Sequence, residues 1–378
     1  MNRADYNNTI TEQVMDIASL ALVQVEKCFD LEKLKQALPE DVASGLCRAV
    51  FVGCGDSYSA AGAMSLGFRK LSGIRSVAVP DIMDFDYFYR DRDLTKEFSP
   101  DQVLFVAVSA SGGSQSIVDA LGKAAEIGAH TLLITNNPES ASAKAARYVY
   151  NVQTPAGLNT PGLRSYFASM IGILALGAYI GVCRGISGEE KFSGVGEQIR
   201  AYIYAFMKDI DRIDEQMFDV AVKMKDLRKF EITADWNDTY SAQFVEQKIY
   251  ECTGTYAVHT NSEEWVHICV MMRNPEEVGS VFMTSCKDRS FPRMIDTIYM
   301  AYALERPILI VSDAEDETPF AEFPEADVCL VHGAPESFLS PLADFIPGSL
   351  LAGYHAALNG LNFFGGRYDY REKRWLDR

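Results

Sequence analysis

Residues 109–114, S-A-S-G-G-S, combine hydroxyl side chains with glycines in a pattern suited to holding an anion. The preceding run, residues 103–108, is continuously apolar and rich in β-branched residues, which predicts a buried strand. Apolar residues at helical spacing resume at Ile117, which predicts a helix directly after the loop. Backbone N–H groups and the positive end of a helix dipole converge there, so phosphate or carboxylate can bind. The alternative is a plain strand-to-helix turn whose serines only cap the helix.

Three residues in the C-terminal half are candidates for acid–base chemistry. Lys248 and Glu251 are spaced i, i+3 in residues 240–252, whose apolar spacing predicts a helix, so both side chains project from one face. His267, one of only five histidines, follows in the chain. A carboxylate can act as a general base, and histidine exchanges protons near neutral pH. The alternatives are an exposed ion pair worth about 0.2–0.5 kcal/mol and a histidine that serves packing or lies at the surface.

The composition excludes several classes of protein. The chain has 378 residues, 48% hydrophobic and 23% charged, which is typical of a globular protein with two domains. Its formal net charge of -17 argues against nucleic acid and anionic membranes as partners. The eight cysteines are scattered and the N-terminus does not resemble a signal peptide, so a reducing, cytoplasmic location is expected. The apolar stretch at 170–182 is expected to be too short to span a bilayer.

Alternating strand and helix patterns predict the framework that positions these residues. A second strand–loop–helix unit lies at 49–71, and its loop, G-C-G-D-S-Y (53–58), lacks the third glycine of a dinucleotide fingerprint. No nicotinamide cofactor is therefore expected. Further strands are predicted at 76–79, 131–135 and 148–152, with helices at 84–96 and 115–127. This alternation predicts an α/β fold with a doubly wound parallel sheet, whose ligands bind beyond the carboxyl ends of the strands.

The second half repeats this pattern without close sequence identity. Strands are predicted at 230–234, 255–259, 279–285, 307–312 and 328–331. Two tandem α/β units follow from this approximate repeat. Residues 285–290, S-C-K-D-R-S, take the place of the phosphate loop but lack its glycines, so this half is not expected to bind phosphate. In the helix predicted at 240–252, Phe244, Ile249 and Tyr250 are expected to face the core.

The predicted organisation places a linker between the two sheet domains. Glycine-rich composition at 185–196 marks the linker, and apolar spacing from 197 to 227 predicts a long helix after it. The predicted parts are an N-terminal helical segment (1–48), a phosphate-binding sheet domain (49–185), the linker and long helix (186–228), a catalytic sheet domain (229–364) and a tail (365–378).

The two small-residue loops resemble those of the sugar isomerase (SIS) domain family. In the isomerase half of the glucosamine-6-phosphate synthases the loops read roughly C-G-T-S-Y and S-Q-S-G-E-T. The resemblance implies two tandem doubly wound, flavodoxin-like SIS domains that bind a small-molecule sugar phosphate. It implies a phosphate site formed by the hydroxyls and amides of Ser57, Ser109, Ser111, Ser114, Gly55 and Gly112. Ala110 and Gly113 replace a glutamine and a glutamate of these relatives, so the contacts of those side chains are absent.

Two further residues near these loops are candidates for substrate binding. Asp56 stands where a threonine is usual in these relatives, and it either reaches sugar hydroxyls or points away from the phosphate. Arg164 lies in a loop rich in proline and glycine where the synthases carry a Ser-Thr-Lys triplet. It either supplies a cation to the ligand or caps a surface loop.

The segments K-I-Y-E (248–251) and E-W-V-H (264–267) resemble the K-x-x-E and G-E-L-K-H segments of the same synthases, at the same separation. This resemblance implies that Glu251, beside Lys248, is the base that moves a proton between adjacent sugar carbons. It implies that His267 opens the sugar ring or acts as a general acid, and Glu264 is a further candidate for substrate binding. In the relatives the histidine comes from the neighbouring subunit, which implies a homodimer or a dimer of dimers with the active site at the subunit interface. No metal or other cofactor is implied.

The activity that this resemblance favours is a cofactor-independent deglycase of fructosamine 6-phosphate (Amadori) compounds. The tail at 365–378 resembles the ending of the deglycases more than the lysine-bearing ending of the synthases, with Lys373 or Arg374 as replacements for that lysine. Without a glutaminase domain, glutamine-dependent synthesis is not expected. The alternatives are an aldose–ketose isomerase, a glucosamine-6-phosphate deaminase and, in another class, a non-catalytic sugar-phosphate sensor. The presence of both Glu251 and His267 counts against the sensor.

Overall fold

The computed structural model of the chain contains two compact units. The N-terminal unit is Ile17–Ile203, and the C-terminal unit combines Met1–Asp16 with the chain from Tyr204 onward. The structure describes residues 1–85, 97–158 and 160–366. The helix predicted at 84–96 lies outside them beyond residue 85, and so do Lys373 and Arg374 of the predicted tail.

Each unit contains a five-stranded sheet in which every pair of neighbouring strands is parallel. The strands of the N-terminal unit are β1 (Arg48–Val52), β2 (Ser76–Ala78), β3 (Val103–Val108), β4 (His130–Thr135) and β5 (Tyr148–Asn151). Those of the C-terminal unit are β6 (Lys229–Ala234), β7 (Tyr256–Thr260), β8 (Val278–Thr284), β9 (Ile308–Ser312) and β10 (Asp327–Leu330). All six residues of β3 are buried, as expected for a continuous apolar run covered on both faces.

The two sheets share one topology. The first has the order β2-β1-β3-β4-β5, and the second, read from its other edge, has the equivalent order β7-β6-β8-β9-β10. This is the flavodoxin-like order, in which the chain reverses direction across the sheet between the first and third strands. The loops after β1 and β3, and those after β6 and β8, therefore lie at the edge where such sheets bind ligands. The predicted tandem, doubly wound fold is confirmed.

Helices flank the strands in both units. In chain order the α-helices are α1 (Thr9–Met15), α2 (Ile17–Cys28), α3 (Leu31–Ala37), α4 (Glu40–Gly45), α5 (Asp56–Ser72), α6 (Gln115–Glu126), α7 (Ala141–Ala145), α8 (Leu163–Cys183), α9 (Glu189–Met207), α10 (Ile210–Met224), α11 (Thr239–Thr253), α12 (Ser262–Ile268), α13 (Phe291–Ala303) and α14 (Phe345–Leu358). Short 3-10 turns connect several of them, including Trp236–Asp238 after β6.

Three predicted segments differ from the structure. The long helix predicted at 197–227 is two helices, since α9 ends at Met207 and α10 begins at Ile210. The glycine-rich residues 185–196 hold the first turns of α9, which begins at Glu189, because isolated glycines are tolerated in a helix whose Phe192, Val195 and Ile199 are buried. The predicted N-terminal segment 1–48 is divided, since α1 belongs to the C-terminal unit whereas α2 to α4 belong to the N-terminal unit.

Helix α8 is longer than the apolar stretch that predicts it. At 21 residues it is long and apolar enough to cross a membrane, so the expectation that this stretch is too short is wrong. However, 89% of its apolar window is buried inside the structure, as is usual for the core helix of an α/β unit.

Candidate functional site

The loop after β1 is built around two glycines. A Cβ at Gly53 would lie 2.6 Å from backbone atoms of Ser57 and Tyr58, so only glycine lets the loop approach the start of α5 this closely. Gly55 has a φ of 55°, a conformation that favours glycine, and directly precedes α5. Gly55 and Ser57 therefore lie at the N-terminal end of a 17-residue helix.

The loops after β1 and β3 lie side by side, as the strand order requires. The Sγ atom of Cys54 is 4.0 Å from the Oγ atom of Ser114. The structure thus brings together the two segments that the sequence predicts as one phosphate site.

Two serine hydroxyls organise the backbone of residues 109–114. The N–H of Gly112 donates to Oγ of Ser109 at 3.2 Å, and the N–H of Gly113 donates to Oγ of Ser111 at 3.4 Å. Ser109 is only 8% exposed, whereas Ser111 is exposed. Ser111 therefore has direct access to a ligand, and Ser109 shapes the loop.

Gly112 is required by the conformation of this loop. Its φ is 64°, and a Cβ at this position would clash with the side chain of Ser140. Its carbonyl oxygen accepts a hydrogen bond from the N–H of Ser142 at 3.1 Å. Because the N–H of the buried Gly112 already donates to Ser109, this glycine shapes the loop, and its contact with a phosphate stays a prediction.

Ser114 occupies the N-cap position of α6, but among the described residues its side chain makes no capping hydrogen bond. A serine whose role was to cap would accept a hydrogen bond from an N–H of the first helical turn. The capping alternative is therefore wrong for Ser114. The helix start presents its N–H groups and the positive end of its dipole at the loop, which is the arrangement that stabilises an anion.

Side chains at the end of β4 and just after it support the loop through its carbonyl groups. Oγ1 of Thr135, the last residue of β4, donates to the carbonyl oxygen of Ala110 at 3.2 Å, and Nδ2 of Asn137 donates to that of Ser111 at 3.3 Å. Because these bonds use acceptors of the loop, they do not compete with an anion for its donors. Neither residue was predicted from the sequence, although the carboxyl end of a predicted strand was a signal for both.

Asp56 and Arg164 are both partly or wholly buried in the N-terminal unit. A Cβ at Gly162 would lie 2.9 Å from Oδ2 of Asp56, so this carboxylate lies against the start of α8, where a helix dipole favours negative charge. Arg164 is 5% exposed, and a Cβ at Gly157 would lie 2.7 Å from its Cζ atom. Arg164 is therefore not the cap of a surface loop, and its contact with a sugar stays a prediction.

Lys248 and Glu251 form an ion pair on α11 of the C-terminal unit. The side chain of Lys248 is 0% exposed and that of Glu251 is 29% exposed. Nζ of Lys248 also lies 4.7 Å from the centre of the Phe244 ring. The alternative of a solvated surface pair is wrong, because lysine is almost never fully buried unless it is paired. The result is a partly exposed carboxylate held by a buried cation.

His267 and Glu264 lie on the exposed side of α12. The side chain of His267 is 66% exposed, and its Nε2 atom is 3.2 Å from Oε1 of Glu263. Glu264 is exposed as well, and its backbone N–H donates to the side chain of Asn261, which caps the helix. The packing alternative is wrong, whereas the exposure fits the surface alternative. A histidine that acts on the substrate of a neighbouring subunit must be exposed on its own chain, and His267 is. Its role there stays a prediction.

The loop that corresponds to the phosphate loop in the C-terminal unit binds a carboxylate of its own chain. Oγ of Ser285 donates to Oδ2 of Asp313 at 2.9 Å, and the N–H of Cys286 donates to Oδ1 at 2.8 Å. Burial, with the Asp313 charge second, raises the pKa of both the Cys286 thiol and the Asp288 carboxyl. The donors of this loop are therefore used internally, in surroundings that disfavour a further negative charge.

A buried pair of carboxyl groups, Asp238 and Asp344, lies in the same unit. Burial raises the pKa of Asp238 to about 6, and the charges of Asp288 and Asp313 add to this rise. Burial and then the Asp238 charge raise the pKa of Asp344 well above its ordinary value. Oγ of Ser340 donates to Oδ1 of Asp238 at 2.6 Å. In the described part of the chain no group of three or more metal-binding side chains is arranged to hold a metal ion.

The SIS domain family matches residues 47–178 of this chain. A glutamine–fructose-6-phosphate aminotransferase (isomerizing) of Arabidopsis thaliana is 24% identical over 319 residues, which is 83% of this chain and 45% of the relative. The chain thus spans about half the length of the curated relative that it matches.

Several solved structures share the fold of nearly the whole chain. The C-terminal domain of glucosamine-fructose-6-phosphate aminotransferase from Francisella tularensis has a TM-score of 0.80 at 14% identity, and covers 96% of this chain and 99% of its own. Tagatose-6-phosphate ketose/aldose isomerase from Escherichia coli has a TM-score of 0.70 at 13% identity, covering 97% and 98%. Glucosamine-6-phosphate deaminase from Thermotoga maritima has a TM-score of 0.60 at 14% identity, covering 91% and 96%.

Proposed function

Residues 47–178 belong to the SIS domain family, and on this basis we propose that the chain is a sugar-phosphate enzyme in which Glu251 moves a proton between neighbouring carbons of the substrate. The observation that carries the proposal is the ion pair of the partly exposed Glu251 with the fully buried Lys248. A buried ammonium group restricts where the carboxylate can lie. A catalytic base must lie within hydrogen-bond reach of the proton that it removes, so such restriction serves catalysis.

The phosphate group of the substrate binds at residues 109–114. Ser111, Ser114 and the first-turn N–H groups of α6 donate to it, with Ser57 and Gly55 from the neighbouring loop. The missing cap at Ser114 and the contact between Cys54 and Ser114 support this assignment. Binding energy from a phosphate that is remote from the reacting carbons orients the sugar for proton transfer.

The reaction that we favour is the deglycation of a fructosamine 6-phosphate. Glu251 removes a proton from C1 of the open-chain ketosamine while the C2 carbonyl oxygen takes up a proton from water, which gives a 1,2-enaminol. Glu251 then returns its proton to C2 and the nitrogen releases its proton to water, which leaves an imine at C1. Water adds to the imine carbon, the carbon–nitrogen bond breaks, and an amine and an aldose 6-phosphate are released. One carboxylate that reaches both carbons suffices for the proton transfer, and water is the only co-reactant.

His267 opens the ring of the bound sugar from the neighbouring subunit of a homodimer. Ring opening needs a group that both gives and takes protons near neutral pH, which is the usual task of histidine. The exposure of His267 on α12 supports this role, because its ring is accessible from outside its own chain.

Aldose–ketose isomerisation or deamination of glucosamine 6-phosphate is the second candidate. Solved structures with the same fold include a tagatose-6-phosphate ketose/aldose isomerase and a glucosamine-6-phosphate deaminase. All three reactions begin with proton transfer between C1 and C2, so Glu251 serves each of them.

The experiment is a substrate panel with the purified chain and two variants. Fructosamine 6-phosphates, glucosamine 6-phosphate and ketohexose 6-phosphates are offered, and released amine, ammonia and aldose are measured. Glu251→Gln should lower kcat for the accepted substrate by about 10²–10⁴-fold, the usual contribution of a general base. Glu246→Gln, the same change one and a half turns earlier on α11, should leave kcat within a few-fold. Full activity in Glu251→Gln would refute the proposal, and phosphosugar binding without any turnover would favour the sensor.

A further inference from the structure

Helix α12, which displays His267, is attached to the C-terminal unit at its first residue. Oδ1 and Oδ2 of Asp235, directly after β6, accept hydrogen bonds from the N–H and Oγ of Ser262 at 2.8 and 2.7 Å. Oγ1 of Thr297 on α13 donates to the carbonyl oxygen of Ser262 at 3.3 Å. With seven residues, α12 is too short to be stable by itself, so such tertiary bonds determine where it lies.

A buried network determines the rotation of the same helix about its axis. Trp265 is 0% exposed, and its Nε1–H donates to Oε2 of Glu231 at 3.0 Å. Arg306 donates to the same oxygen, and its Cζ atom lies 4.8 Å from the centre of the Trp265 ring. Arg306 also donates to the carbonyl oxygen of Cys269 at 2.9 Å, directly after the helix. Glu231 belongs to β6 and is 3% exposed, so the indole is bound to the sheet itself.

The position of Trp265 sets the direction of His267. Residues two apart on an α-helix are separated by roughly 200° around its axis, so they project from nearly opposite faces. Trp265 points into the core, and His267 accordingly points outward. If the indole lost its bond to Glu231, the helix could rotate and the imidazole would change direction.

Packing alone does not account for this network. Replacing a buried ion pair by apolar side chains of similar volume is often neutral or stabilising, so such a pair is weak evidence for stability. The pair of Glu231 and Arg306 does fix the orientation of the Trp265 side chain, because only one orientation of the indole places its N–H within hydrogen-bond distance of the shared carboxylate oxygen. Buried polar groups of this kind can specify a single arrangement.

We propose that Trp265, Glu231 and Arg306 are positioning residues that orient α12 so that His267 faces the substrate of the neighbouring subunit. The inference rests on the proposed function of His267. The three residues touch no substrate. They act on the reaction only through the direction of the imidazole.

Trp265→Phe tests the inference, because it keeps an aromatic ring and removes the N–H donor. The expected result is a fall in kcat of about tenfold with KM changed less than twofold, since phosphate binding lies elsewhere. Phe323→Leu is the matched control, because Phe323 is buried in the same apolar cluster without being part of α12. Both variants are assayed well below their melting temperatures, and the control should keep its kcat.

A second readout does not depend on turnover. The NMR signal of the His267 ring, assigned by its loss in His267→Asn, should shift or broaden in Trp265→Phe and not in Phe323→Leu. If that signal is unchanged, or if kcat falls equally in both variants, the positioning role is refuted. If the ring signal moves but the unmodified chain turns over no phosphosugar, the proposed function fails and the positioning of His267 stands.

Discussion

The two sheets of this chain have the same strand order, yet the loops after their third strands differ in the groups to which they are hydrogen-bonded. In residues 109–114, the N–H groups of Gly112 and Gly113 donate to neutral serine hydroxyls, and Thr135 and Asn137 donate to loop carbonyls. In residues 285–290, the residue after the fourth strand is Asp313, whose carboxylate accepts from the loop's hydroxyl and N–H. The proposed anion site thus uses neutral internal acceptors, whereas the equivalent loop of the other sheet binds a carboxylate of its own chain, and the difference lies in the residue that follows the fourth strand.

Chemistry and anchoring are divided between the units in the proposed enzyme. The N-terminal unit supplies a small-residue loop at a helix start, and the C-terminal unit supplies a carboxylate on a helix. Two copies of one fold allow this division, because only one copy needs a phosphate loop. In the other copy the equivalent loop, residues 285–290, has no glycine and contains an aspartate. Each of the following predictions tests one side of that contrast.

The largest effect is expected from Gly112→Ala in the phosphate loop. A Cβ there clashes with Ser140 and a φ of 64° is unfavourable for alanine. The strain of roughly 1–3 kcal/mol should weaken phosphosugar binding by about 5- to 150-fold. Isothermal titration with the accepted substrate measures it. The matched change in the other loop, Ser285→Ala, should leave affinity within twofold; equal losses would show that both loops bind substrate.

The next effect is expected from Asp313→Ala in the C-terminal unit. Removing this carboxylate frees the N–H of Cys286 and the hydroxyl of Ser285. A second, weak phosphate site should then appear beside Lys287, and titration with inorganic phosphate should change from one site to two. Asp316→Ala, which removes an exposed acid nearby in sequence, is the control. A single site in Asp313→Ala would mean that this loop is not a filled anion site.

The smallest effect concerns the buried acids of the C-terminal unit and the pH dependence of stability. The pKa of Asp238 is raised to about 6 and that of Asp344 is raised as well, so the folded state binds protons that the unfolded state releases. Stability from this pair is therefore full below pH 4 and is lost as the pH rises through about 6. Asp344→Asn should raise the free energy of unfolding by on the order of 1–2 kcal/mol at pH 7.5 and by less at pH 4.5.

Urea unfolding of the unmodified chain and of Asp344→Asn at both pH values measures this effect. Asp327→Asn, at an acid that pairs with Lys223 at the surface, is the control and should not become more stable at pH 7.5. An equal change at both pH values would mean that the pair does not share a proton.

The sequence was sufficient for the strands, and phosphate binding at residues 109–114 stays a prediction. Apolar runs of β-branched residues ended within a residue or two of the observed strands, because burial on both faces leaves a local signal. Ser109, Ser111 and Gly112 likewise stand where a strand meets a helix, which spacing alone reveals. The orientation of Tyr250 was wrong: it is 41% exposed, and its ring lies 6.3 Å from that of Tyr256.

The burial of Lys248 could not be predicted from the sequence. Helix α11 packs closely on α14, where a Cβ at Gly348 would lie 2.6 Å from Val245. In the folded unit the side chain of Lys248 is 0% exposed and that of Glu251 is 29% exposed. A spacing of i, i+3 describes a buried and an exposed pair equally well, so only tertiary packing distinguishes them.

By itself the sequence predicted two doubly wound sheets, which the structure confirms, and an anion-binding loop and acid–base residues, which stay predictions, because each depends on residues close together in the chain. Tertiary structure alone decided which loop binds a carboxylate of its own chain, which lysine is buried and which way His267 points. Asp313 reaches Ser285 at a separation of 28 residues, and Trp265 reaches Glu231 at a separation of 34. Such contacts leave no local periodicity, because they exist only after the sheet has brought its strands side by side.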